Sequence, residues 1–192
     1  MPTIWVLFGI LTLPATGTAA DTCTVQVRIS NTATAAPLVL VRAKSTAAAM
    51  FAHIGIKIEF TSATRAAGCG RQIEIRFESG IPGAERPDSL AYAMPYLEGG
   101  TSIHVFIERV AALVPANLAG AVLGHVLAHE IAHVLQGASR HSDSGVMKAH
   151  WDPADLRAME LRPLPFAPLD VLLLQAAGTG KPASPGTLAA AK

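Results

Sequence analysis

Charge is scarce in this chain, cysteine scarcer, and basic clusters are missing. Asp, Glu, Lys and Arg make up 15% of the 192 residues and almost cancel, to a formal net charge of +1. Without a run of Lys or Arg there is no electrostatic footprint for a phosphate backbone or an anionic membrane surface, so nucleic acid is not an expected partner. The two cysteines, Cys23 and Cys69, form no C-x-x-C pair and lie far from every histidine cluster, which argues against a thiolate metal site. The apolar run at 4–13 is too short to span a bilayer. No internal repeat is evident.

What is present is concentrated at 124–147, GHVLAHEIAHVLQGASRHSDSGVM, where His129, Glu130 and His133 spell H-E-x-x-H. Residues four apart on a helix stack on one face, so two imidazoles can reach one cation. Glu130 lies about 100° round the helix from His129, which puts its carboxylate beside that cation, within reach of a water proton. Zinc suits the grouping, because imidazole is a good ligand for it and an open fourth position leaves a water whose pKa falls to roughly 7. From the residue frequencies, such a motif arises by chance in on the order of one chain per hundred. The setting is helical: 118–136 is an unbroken run of helix formers without proline, with Gly137 where a C-cap belongs.

Two ligands leave a catalytic metal short of its usual three protein ligands. Gly137 can take a positive φ and turn the chain sharply, so that His141 returns toward His129 and His133. Asp143, His150 and Glu160 are the rivals for that third place. His125 extends the ladder backward by one turn, but lies about 12 Å along the axis from His133, too far for one mononuclear site. It is expected to pack or to support the ligands from behind, and His53 and His104 to be ordinary structural histidines.

HEIAHVLQGASRH followed by SGVM resembles the zincin metallopeptidases, and within them most the metzincins, whose H-E-x-x-H-x-x-G-x-x-H motif precedes a Met-containing turn. Gly137 falls four positions after His133 instead of three, and His141 eight instead of six, a loop longer by two residues. The resemblance implies zinc held by His129, His133 and His141, Glu130 as general base and Met147 as the turn methionine.

The 4–13 run, followed by Pro14 and small residues, has the form of a secretory signal peptide with cleavage near Ala20, although no Lys or Arg precedes it. The mature protein is then expected to be secreted or periplasmic, without stable membrane insertion. In that setting Cys23 and Cys69 are expected to form one disulfide. After the signal, period-two alternation predicts strands at 24–29, 56–60, 73–77 and 103–107, with a short strand at 90–94 ended by Pro95. Helical spacing predicts helices at 38–54 and 118–136. Asp152 as N-cap and Pro153 in the first turn predict another to about Leu161, and 168–177 reads as a last apolar helix. Loops are expected at 31–37, 61–70 and 79–89.

The pattern is α+β. The zincin resemblance implies a mixed twisted sheet with a backing helix and an active-site helix, and a small, mostly helical C-terminal part. Domain expectations are a signal peptide at 1–20, one zincin-like metallopeptidase domain at 21–177 and a disordered tail at 178–192. The expected function is peptide-bond hydrolysis by a monomeric zinc peptidase acting on peptide or protein. The alternative is a non-catalytic metal-binding module of the same fold that holds peptide or cell-wall material.

Overall fold

The computed structural model describes residues 24–31, 35–62, 71–79, 89–97 and 100–178. The signal-peptide run, both cysteines with their expected disulfide, most of the loops at 61–70 and 79–89, and 179–192 lie outside the described residues. Within them the order is β1 (Val25–Ser30), α1 (Pro37–His53), β2 (Ile58–Phe60), β3 (Gln72–Glu78), β4 (Ala91–Leu97), β5 (Gly100–Phe106), α2 (Ile107–Leu113), α3 (Ala116–Gln136), α4 (Pro153–Leu161) and α5 (Pro168–Gly178). The class is α+β, as the patterning predicts.

The sheet runs β2-β1-β3-β5-β4, with four parallel strands and β4 antiparallel to β5 at the edge. Parallel strands are commonly buried on both faces. These are not. Val25, Val27, Ile73, Ile75, Phe77, Ile103 and Val105 enter the core, while Glu74 on the other face pairs with Arg28 at 3.0 Å and Arg76 at 3.4 Å. That solvated face is why period-two alternation is visible in the sequence at all.

Two expectations need correction here. β4 continues through Pro95 to Leu97 instead of stopping before it. The ladder shifts register between Met94 and Leu97, on an edge strand, and there a missing N–H is tolerated. Ile107 belongs to α2, not to the strand ending at Phe106, because both Phe106 and Ile107 are buried and the alternation breaks.

α3 is the central helix. By length and composition it could cross a bilayer, yet 89% of its most apolar window is buried inside the protein, the condition of a core helix. Its closest neighbour is α1, and the approach requires glycine: a Cβ on Gly124 would come within 2.6 Å of Thr46 Cβ and 2.9 Å of the Ala43 carbonyl. At the far end Gly137 adopts φ 62° and closes the helix with N–H bonds back to Val134 and His133. Arg71, just before β3, donates to the carbonyls of Val134 (3.1 Å) and Leu135 (3.3 Å), placing a cation at the negative end of the helix.

Candidate metal centre

Helical spacing brings His129 and His133 together, and the carbonyls around them decide which nitrogens are available. His129 Nδ1–H donates to Val146 O at 2.9 Å and His133 Nδ1–H to Ala138 O at 3.0 Å. A carbonyl can only accept, so each Nδ1 carries the ring proton and each Nε2 is left with its lone pair. The two Nε2 atoms lie 2.9 Å apart. In neutral rings no proton is available to bridge them, so two lone pairs face each other. A cation between them turns that repulsion into two bonds.

His141 completes the group. Its ring centroid lies 5.3 Å from that of His129 and 4.9 Å from that of His133. One nitrogen from each ring can be chosen so that all three lie within 4.8 Å of one another. A tetrahedral zinc with bonds near 2.0–2.1 Å separates its ligand nitrogens by about 3.3 Å, so the set fits such an ion with small movements. Among the described residues, the three-histidine group includes none of Asp143, His150 and Glu160, the rival third ligands. His150 lies on the wall of the same cleft.

Burial pushes the His129 imidazole down to about 4, against the smaller upward pull of Val146 O. Burial likewise lowers His133, and partial desolvation lowers the more exposed His141, helped by the nearby His150 and Arg140. All three therefore stay neutral around pH 7, the form that ligates metal. Glu130, 8% exposed, lines the same cleft of about 1270 Å³. Trp151 closes one side: its ring stands edge-on to His129 at 5.8 Å, and its Nε1–H shares the Val146 carbonyl at 3.3 Å.

His125 is a brace. It is wholly buried, with Nδ1–H donating to Ala121 O at 2.8 Å and Nε2 accepting the Leu164 N–H at 2.9 Å. It thereby ties the segment before α5 to α3. That segment supports the turn beyond His141: Val146 N–H donates to Pro165 O at 2.9 Å. Gly145 has φ 76°, and a Cβ there would sit 2.2 Å from the same carbonyl. Met147 is fully buried, and its carbonyl accepts the Ser142 N–H at 2.8 Å. His104 is a structural histidine of the open sheet face, bonded to Glu78 at 2.5 Å and Ser102 at 2.9 Å and stacked on Tyr92.

Asp170 was not singled out by sequence reasoning. It is 0% exposed on α5 and receives Arg140 and Ser142, the two neighbours of His141. The available signal was a lone acid in the apolar stretch PLDVLLLQ. α4 caps as expected: Asp152 accepts from Ala154 N–H at 2.7 Å and Asp155 N–H at 3.0 Å, and Asp155 returns the bond to Asp152 N–H.

No family model matches the chain, and no curated protein matches it. Among solved structures, metalloproteinase-II from Bacteroides fragilis is similar in chain path, with a TM-score of 0.49 and 11% sequence identity over 84% of this chain. The chain spans 55% of the length of that protein.

Proposed function

We propose that this protein is a zinc-dependent metallopeptidase, with His129, His133 and His141 as the zinc ligands and Glu130 as the general base. The observation that carries the reading is the pair of bare Nε2 atoms, fixed by carbonyls behind them and joined by His141, on the wall of a cleft that Glu130 also lines. Zinc, when bound, supplies a Lewis acid that polarises a carbonyl and acidifies water.

The chain's own residues do the rest. The Glu130 carboxylate takes the proton from the attacking water as the carbon–oxygen bond forms, and delivers it to the leaving nitrogen as the carbon–nitrogen bond breaks. Val146 O and Ala138 O keep the two helix histidines in the tautomer that presents Nε2. Trp151 limits water beside His129. Ser89 and Leu90, just before the edge strand β4, and Ala91, Tyr92 and Ala93 on it line the same cleft, which supports an extended peptide as substrate, added to β4 by main-chain hydrogen bonds. The proposed substrate is peptide or protein, and the protein is proposed to act as a monomer outside the cytoplasm after cleavage near Ala20, a reading that rests on the form of the N-terminal sequence.

The test combines metal content with cleavage of a broad peptide library. His129→Ala is expected to purify without zinc, and Glu130→Ala to keep zinc while losing cleavage. Cleavage by the unmodified protein is expected to stop with chelator and return with zinc. Protein that refuses zinc at micromolar concentration would falsify the reading, and metal-dependent retention of peptides without products would mark a binding module instead.

A further inference from the structure

His129 and His133 are held by a helix, whereas His141 is exposed and sits in an irregular segment, so something else must fix its position. Its two neighbours supply the clue. Arg140 Nη1 donates to Asp170 Oδ1, and Arg140 Nη2 donates to Ser142 Oγ at 3.0 Å. Ser142 Oγ in turn faces both oxygens of Asp170 at 2.9 Å. Arg140, Ser142 and Asp170 thus form a closed ring of charge-assisted bonds. The side chains of residues 140 and 142 are thus tied to Asp170, while the His141 ring lies against the helix pair His129 and His133.

The carboxylate is itself anchored. Oδ2 accepts the Ala167 N–H at 3.2 Å, and Gln136 Nε2, on the last turn of α3, approaches Oδ1 at 3.5 Å. A fully buried carboxylate is costly to desolvate and persists only when its oxygens are well bonded. An aliphatic residue would suit the rest of α5 better. What the acid adds is geometry at a point where the backbone has no ladder of its own.

We infer that Asp170 is the positioning residue of the third ligand: it clamps Arg140 and Ser142 so that His141 is already in place when the metal arrives. This rests on the three-histidine metal site proposed above. Removing a partner that orients a ligand costs about 10–100-fold in metal affinity.

The experiment measures zinc affinity by competition with a chromogenic chelator, and the visible bands of cobalt(II) as a report on tetrahedral coordination, in the full chain. Asp170→Asn is expected to weaken zinc binding about 10–100-fold and to reduce the cobalt bands. His141→Ala is expected to do the same or more. Asp170→Asn placed on top of His141→Ala is expected to cost nothing further, because its effect passes through His141; a general loosening of the fold would add to the first loss. Unchanged affinity and bands in Asp170→Asn, or additive losses in the double variant, overturn the proposal. If Asp170→Asn fails to fold by circular dichroism, Ser142→Ala replaces it, with a smaller loss expected that vanishes in the His141→Ala background; a loss that persists there overturns the proposal. Unmodified protein that binds neither metal defeats the metal-site reading itself, and His141→Ala with full affinity defeats the choice of third ligand; either result also removes the role assigned to Asp170.

Discussion

The two halves of the histidine group are held by different physics. His129 and His133 share one helix, so their separation follows from helical geometry, and that helix is locked to α1 by a glycine contact and to β3 by Arg71. His141 is placed by a polar ring closed through Asp170 and by a turn resting on Pro165. The first arrangement depends on packing, which is hard to disturb without unfolding. The second depends on a few bonds that single substitutions can remove, so the position of His141 is the easier of the two to alter.

The sharpest break in that comparison comes from the ligands. His129→Ala is expected to abolish zinc uptake at micromolar concentration, whereas His141→Ala is expected to retain weak binding by the helix pair, readable by titration calorimetry. Acid should disturb the packed half next. His129 titrates near 4 in the fold and near 6.5 when unfolded. Between those values the unfolded chain binds the proton and the folded chain does not, so stability is full above about pH 6.5 and falls progressively toward pH 4. The loss from this group is on the order of 3 kcal/mol in metal-free protein, and His125, lowered by its burial, acts in the same direction. Urea unfolding of the apoprotein at several pH values checks this, and a flat profile contradicts it.

Smaller effects separate the regions further. Gly124→Val drives a side chain into Thr46 and the Ala43 carbonyl and is expected to cost about 1–3 kcal/mol, with the midpoint of denaturant unfolding as readout. Asp152→Ala removes the cap of α4 and is expected to lower the midpoint of denaturant unfolding slightly, with zinc affinity unchanged. A large fall in affinity there would mean that α4 also sets the position of His141.

The legible parts of the sequence are those whose geometry is local. H-E-x-x-H fixes a helix face, and alternation at 73–77 and 103–107 reads as strand because one face of the sheet stays in water. Asp152 followed by Pro153 announces a helix start. Pro95 and Ile107 misled for the same reason: whether proline is tolerated depends on which strand is outermost, and whether an apolar pair continues a strand depends on what lies above it. His141 could be proposed from the turn at Gly137 beside Asp143, His150 and Glu160, and only the folded chain shows that His141 is the one grouped with His129 and His133 among the described residues.

By itself, then, the sequence determined that two imidazoles and a carboxylate share a helix, because 118–136 is an unbroken run of helix formers and a spacing of four then stacks the imidazoles on one face. Only the tertiary structure decided which nitrogens are bare, which edge strand borders them and why the third histidine faces inward. Those depend on carbonyls at Ala138 and Val146 and on a buried acid at position 170, partners brought close by folding and without any fixed spacing along the chain.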